Sequence, residues 1–370
     1  MACLGKETSA APAADGMKRR DDVHKILELA ARAPSGDNCQ PWKFERAGQG
    51  EVAVLWDRNR AAHPLDAGDL SSHLALGALL ESARLAAPLF GMSAAFELLC
   101  LDGVERARLR FREVFPAPRA DPDAHFLSQR FVDRRPYLAG SLDAAWLSEW
   151  TKPQPEYGNC RLVVQGPVSR ELAVQIAKTE LLAVELPGSF LRTLAWIRFT
   201  RSEVESTSDG MPWWTLGVSM PESWALRTLR AFPSLFGVAR ALALRRGLRG
   251  TLIRNLMATP ALFGLAAVSS EPDAFVHAGR LALRAWLRLT LQGWTAQPLS
   301  ASSVSVSALD AGLIDPGVLP EGGQRIEFEI TRKLLSSYLG LRPDEKLLWL
   351  LRTGRPRSPL ETTARRPLAL

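Results

Sequence analysis

Two stretches of this chain carry the same helical lettering 202 positions apart. Gly77 to Gly91 and Gly279 to Gly293 both read Gly-x13-Gly, and without gaps they match at Leu79/Leu281, Ala83/Ala285, Leu85/Leu287 and Leu89/Leu291. Residues 70–90 read as a long buried helix, apolar on nearly every face, and residues 273–292 as a strong helix. Two readings are open. They are either two ordinary Leu/Ala-rich helices that agree at a few positions, or the central helices of a duplicated fold. In the second reading small residues at Ala83 and Ala285 let them approach around a pseudo-two-fold axis.

The elements around them alternate in type. Residues 22–33 have helical apolar spacing and stop at Pro34, because the residue before a proline avoids the helical region. Strands are predicted at 51–56, 94–100, 106–111, 160–165 and 262–270. Helices are predicted at 70–90, 168–186 and 273–292, with more regular structure at 324–337 and 345–353. Residues 124–138 start with helical character. The alternation points to an α+β fold. A Pro-rich stretch from Pro116 to Pro122 separates a first half, 22–115, from a second, 123–370. Residues 1–21 read as a disordered leader, and an insertion spans about 200–258.

Charge and cysteine usage narrow the class. The chain has 370 residues and a net charge of +7. Cys3, Cys39, Cys100 and Cys160 form no CxxC pair, and the histidines are scattered, so no metal site is expected. No secretory signal and no membrane span stands out, which points to the cytoplasm. Seven arginines and one acid, Glu222, lie between residues 221 and 255. Such a bias suits an anionic ligand or an anionic membrane surface. No nucleic-acid motif accompanies it.

The segment richest in chemistry is 32–44, RAPSGDNCQPWKF. A helix end runs into a polar turn in which Ser35, Gly36 and Asn38 can present donors to a ligand, and Pro41-Trp42 fixes the exit. Gly36 permits close backbone approach. Farther on, Arg130 and Arg134 are spaced i, i+4, so on a helix both guanidinium groups would face one phosphate. Gln297-Pro298-Leu299-Ser300 follows the second long helix, and Arg365-Arg366-Pro367 stands near the C-terminus.

These pieces together resemble the nitroreductase superfamily of FMN enzymes. The run APSxxNxQPWxF is reproduced at Ala33, Pro34, Ser35, Asn38, Gln40, Pro41, Trp42 and Phe44. The family's arginine signature is similar to Arg130–Tyr137, with Val132 where a serine is usual. The family's proline-hydrophobic segment is similar to Pro298-Leu299. Leu350–Pro356 is similar to its closing strand and Arg365 to its basic tail, although Thr363 stands where a lysine is common. Residues that meet across a dimer interface in the family lie here in one chain, so the chain looks like a tandem, internally duplicated member, similar to the Acg-like branch. A second, symmetric site would lack the arginine signature.

The resemblance implies one FMN. Pro34, Ser35, Gly36 and Asn38 would lie against the ring. Arg130, Arg134 and Arg365 would reach the phosphate and ribityl chain. Gln297, Pro298, Leu299 and Ser300 would line the flavin. The Ser300 amide is the candidate donor to flavin N5, and Arg134 the candidate to stabilise charge at the N1 edge. The implied activity is electron transfer between NAD(P)H and a nitro, quinone or enone acceptor, or equally dehydrogenation of a metabolite with oxygen as acceptor, by a monomer or homodimer. Two other readings are a flavin-sequestering protein with a lid, and a membrane-surface or partner-docking protein acting through 221–258. The loop Asp209–Leu216 would then supply Trp213 and Trp214 as a cover.

Overall fold

A computed structural model describes residues 11–100, 102–237, 244–314 and 322–368. Its long helices are α1 (Ala11–Ala30), α2 (Leu70–Ala86), α3 (Arg170–Glu185), α4 (Pro187–Ala195), α5 (Met220–Ala231), α6 (Leu244–Met257), α7 (Pro272–Leu291) and α8 (Gly322–Leu339). Strands β1 (Trp42–Gly48), β2 (Glu51–Trp56), β3 (Met92–Leu98) and β4 (Glu105–Glu113) form one antiparallel sheet in the order β1-β2-β4-β3. Strand β5 (Arg161–Gln165) precedes a two-residue parallel pair, β6 (Ile197–Arg198) and β7 (Met211–Pro212). Strands β8 (Ala261–Ala267), β9 (Thr295–Pro298) and β10 (Lys346–Gly354) join β5 in a second antiparallel sheet, ordered β5-β8-β10-β9.

The two sheets have one topology. Two strands come first, a long buried helix follows, and the fourth strand in sequence inserts between the second and third. The helices α2 and α7 occupy the same place in each half and pack on each other. All of α2 is buried except Ser71 and Arg84. The cluster around Ile26, Val54, Leu76 and Leu109 also takes in Val276, Leu283 and Leu287 of α7. The halves therefore share a core and are not separable domains. The close approach falls at glycines, where a Cβ on Gly77 would stand 1.9 Å from the Val276 carbonyl oxygen.

The structure departs from the sequence expectations in places. Helix α1 begins at Ala11, so residues 11–21 are helical and only 1–10 lie outside the described residues. Arg19 donates to the Phe111 carbonyl at 3.1 Å, which ties this helix to β4. Residues 127–135 are not helical. Arg130 and Arg134 thus do not share a helical face; Pro122–Phe126 makes a short 3-10 turn and the chain then runs irregularly. The segment expected as an insertion from about 200 packs with residues before it, since Phe190 and Leu194 of α4 form one cluster with Ile197, Phe199, Met211, Leu226, Leu229 and Phe236. Arg240, in the basic run, lies outside the described residues.

Candidate functional site

The polar turn after α1 is unusual in its backbone. Asp37, Asn38 and Gln40 have φ of 50°, 54° and 47°. Non-glycine residues adopt this left-handed region at a cost and keep it only when neighbours hold them there. The restraints are visible. The Ser35 hydroxyl accepts from the Gln40 amide at 3.0 Å. The Gln40 side chain donates to the Ser208 carbonyl at 3.0 Å and accepts from the Arg366 amide at 2.9 Å. The Asn38 side chain donates to the carbonyls of Gly210 (2.9 Å) and Ala364 (3.3 Å). Asn38 thus holds the 208–210 loop and the C-terminal tail onto the turn, so its amide group is already engaged by protein acceptors.

A buried arginine organises the opposite wall. Arg352 of β10 donates to Gln297 Oε1 at 2.5 Å and to the carbonyls of Asp133 and Arg135, with its guanidinium 4.3 Å from the Tyr137 ring centre. Asp133 is fully buried and pairs with Arg135. Between these two fixed residues Arg134 turns the other way. Its partners are the Thr215 carbonyl at 3.5 Å and Met211 Sδ at 3.3 Å.

Turn and arginine segment meet at one cavity of about 310 Å³, within the usual size of a small-molecule site. Pro34, Ser35, Gly36, Asn38, Arg130, Arg134, Pro298, Ser300 and Arg365 all line it. Gln297 and Leu299 do not. Gln297 is the partner of Arg352, and Leu299 is fully buried in the cluster with Leu262 and Leu350. Strand alternation accounts for this, since neighbours along β9 point to opposite faces. The Ser300 amide has no acceptor among the described residues. Trp213 and Trp214 do not line the cavity; Met211 and Thr215 of the same loop do.

Charge divides the cavity. At one end Arg130 and Arg365 line the wall, with Arg32 beside them and no acid among their charged neighbours. Arg130 is buried, with its guanidinium 4.5 Å from the Trp286 ring centre. One of its nitrogens donates to the Arg32 carbonyl at 3.1 Å, and another, Nη1, is buried without a partner. Arg365 donates to the carbonyls of Ala31 and Arg32. Burial first, and then the neighbouring guanidinium groups, push Arg365 well below and Arg130 down to about 10 from ordinary arginine values. A buried guanidinium with two half-buried ones beside it favours an anion that can join them.

Elsewhere the wall carries carboxyl groups with raised pKa. Burial lifts Asp37 to about 6 against the pull of Arg134 and Arg192. It lifts Asp66 to about 6 although Ser71 and Ser72 donate to that residue, and Glu180 of α3 to about 7 although the Ser302 amide donates to it at 2.8 Å. Burial lowers His63 to about 4, so it is neutral. Sequence reading missed Glu180, Arg32 and Trp286. Glu180 carried a weak signal at most, since Glu171 and Glu185 stand in the same helix. Arg32 carried a stronger one, standing next to the motif that was recognised.

No family model matches the chain. It is 34% identical over 83 residues to a putative NAD(P)H nitroreductase, Acg, of Mycobacterium tuberculosis, an alignment that covers 22% of this chain and 25% of that one. The described fold and cavity sit beside that similarity. This chain is similar to a nitroreductase. It is also 32% identical over 146 residues to an alpha-(1->6)-mannopyranosyltransferase of the same organism, covering 39% of this chain and 21% of the relative. The chain therefore spans about a quarter or less of the length of each curated relative. Among solved structures, a putative nitroreductase from Anabaena variabilis aligns over 96% of this chain and 90% of its own, at 11% identity and a TM-score of 0.36. The FMN-dependent nitroreductase NfnB from Mycobacterium smegmatis, in complex with NADPH, aligns over 64% and 88%, at 16% identity and 0.33. No described helix is long and apolar enough to cross a membrane.

Proposed function

We propose that this chain is an FMN-dependent oxidoreductase of nitroreductase type, built by internal duplication so that one chain completes one site. The observation that carries the reading is the pair Arg130 and Arg365, which line the same cavity as the 34–38 turn and Ser300 and have Arg32 beside them with no acid among their charged neighbours. A phosphate monoester supplies the missing charge, and the partnerless Arg130 Nη1 supplies a donor for it. The wall also holds Pro34, Gly36, Pro298 and Trp286, small or apolar surfaces that suit a ring.

FMN would bring the capacity to accept and give up electrons in pairs. The chain's own groups position and polarise it. The Ser300 amide is the donor available to a ring nitrogen, and Arg134 places a positive charge in the wall. Glu180, raised to about 7, holds a proton in the cavity near neutrality. NAD(P)H is the proposed donor, and a nitro, quinone or enone compound the acceptor, in the cytoplasm, for a monomer or homodimer. The test is an absorbance spectrum of the purified protein with extraction of the bound flavin. A colourless protein that fails to take up added FMN rejects the reading.

One observation favours a storage role as a second reading. The tail residues Glu361 and Thr363, with Trp196 and Met211 of the insertion, join the cavity wall and cover it. Anaerobic addition of NADH and NADPH separates the two. Bleaching of the flavin band supports the reductase, and an unchanged spectrum supports storage.

A further inference from the structure

Most polar side chains of the turn after α1 are spent on the protein itself. The Ser35 hydroxyl accepts from the Gln40 amide, the Asn38 amide group donates to Gly210 and Ala364, and Gln40 joins Ser208 to Arg366. Asp37 is the exception. Its half-buried carboxyl lines the cavity, and no described residue gives it a hydrogen bond or an ion pair. Its backbone sits at φ 50° and ψ 18°. The chain thus holds an aspartate in left-handed backbone whose carboxyl adds no contact to the fold, and an unpaired carboxyl out of water is a cost.

The surroundings of Asp37 limit what can join it. Two charges act on it, those of Arg134 and Arg192. Arg192 is committed to the carbonyls of Asn59, Arg60 and Ala62. Arg134 lines the same cavity and has as partners the Thr215 carbonyl at 3.5 Å and Met211 Sδ at 3.3 Å, both long contacts. An amine cation would meet two like charges here, so a neutral N–H is the donor that fits. Burial lifts the carboxyl to about 6, so above neutrality it is ionised and a strong acceptor. Neither Arg130 nor Arg365 acts on Asp37; the charges that act on those two are Arg32 and, on Arg365, Arg130. The carboxylate and the phosphate-sized cation cluster are therefore separate features of one cavity.

We propose that Asp37 accepts the imide N–H, at N3, of a bound isoalloxazine, while Arg134 serves the carbonyl and N1 beside it. A carboxylate next to a guanidinium matches a ring edge in which an N–H stands next to a carbonyl. This contact presupposes the flavin reading and adds to it the residue that reads the imide edge. The carboxylate also opposes the negative charge that reduction brings to that edge, and Arg134 favours it, so the two residues set the potential of the bound group between them.

The test is binding of FMN and of 3-methyl-FMN, which lacks the N3 hydrogen, to the apo chain at about pH 8, followed by flavin fluorescence. Wild type is expected to prefer FMN by at least ~10-fold, the worth of a hydrogen bond to a charged acceptor. D37G puts a glycine where φ is positive and leaves room for the methyl group, so its preference should fall below roughly 3-fold. D37G should also unfold at or above the wild-type temperature, because the carboxyl it removes is unpaired. D37N, whose amide oxygen still accepts, should keep part of the preference and raise the midpoint potential of the bound flavin by removing the charge. If wild type binds the two flavins alike, if D37G keeps the wild-type preference, or if the potential of D37N is unchanged, Asp37 does not face the imide and the inference is overturned while the flavin reading stands. A wild-type chain that takes up neither flavin overturns both.

Discussion

Gly77 and Gly279 meet the opposite helix in the same way. A Cβ on Gly77 would stand 1.9 Å from the carbonyl oxygen of Val276, and one on Gly279 would stand 2.0 Å from that of Leu74. Gly77 and Gly279 are 202 residues apart, as are Leu74 and Val276. The contact is therefore reciprocal, the signature of a two-fold relation between α2 and α7. Since the obstacle on each side is backbone, no rotamer change relieves it. G77A and G279A should each lower stability by roughly 3 kcal/mol or more, as overpacking in a rigid contact does. The double variant should cost less than the sum, because one shift of the helices relieves both clashes. Urea unfolding of the three variants checks this; a loss under about 0.5 kcal/mol for either single variant contradicts the geometry.

The same offset explains why only one site is proposed. Trp286 and Ala75 line the cavity; their counterparts are Arg84 and His277. Around those positions the space is filled by a buried network. Glu81 pairs with Arg84 at 2.5 Å and with Arg280 at 3.2 Å, accepts from the Tyr157 hydroxyl at 3.3 Å, and is fully buried. Titration of the apo protein with FMN, followed by flavin fluorescence, should saturate at one per chain. A plateau at two would show that the symmetric position also binds.

Arg130 should act on the ligand far more than on the fold. Its protein hydrogen bond is to the Arg32 carbonyl, and it crowds two other cations. R130Q should weaken FMN binding roughly 10- to 100-fold, the worth of a charge-assisted contact to phosphate. The apo variant should unfold within about 1 kcal/mol of wild type. Inorganic phosphate should raise the unfolding temperature of the wild-type chain and raise that of R130Q less. Equal phosphate stabilisation of both proteins would place the anion elsewhere.

Legibility in the sequence followed locality. Helix 70–90 and strand 51–56 were readable because apolar periodicity is a local signal, and α2 and β2 appear where they were expected. Ser35, Gly36 and Asn38 were readable as a turn because glycine and short polar side chains tolerate its backbone. What failed was orientation. Arg130 and Arg134 were expected to share a helical face, but that segment is fixed from a distance by Arg352, more than two hundred residues away. Leu299 and Gln297 were expected to touch the ligand along with Pro298 and Ser300, yet packing against β10 turns them away. Trp286 faces the cavity because of how α2 and α7 cross, which no single helix reveals.

Glu180 gives the cavity a pH response. Its folded pKa lies near 7, above the ordinary 4.5, and desolvation is the dominant cause. The folded state therefore holds this proton more tightly than the unfolded chain does. Its contribution to stability is complete below about pH 4.5 and is lost as pH rises through 7. A shift of this size corresponds to at most about 3 kcal/mol by pH 8. Asp37 and Asp66, both raised to about 6, add losses of the same sign at somewhat lower pH. E180Q keeps the shape and removes the titration. Measured by urea unfolding at pH 5 and pH 8, wild type should weaken more than E180Q across that interval. Parallel losses in the two proteins would mean that Glu180 is already ionised in the folded chain, and that its hydrogen bond with the Ser302 amide outweighs burial.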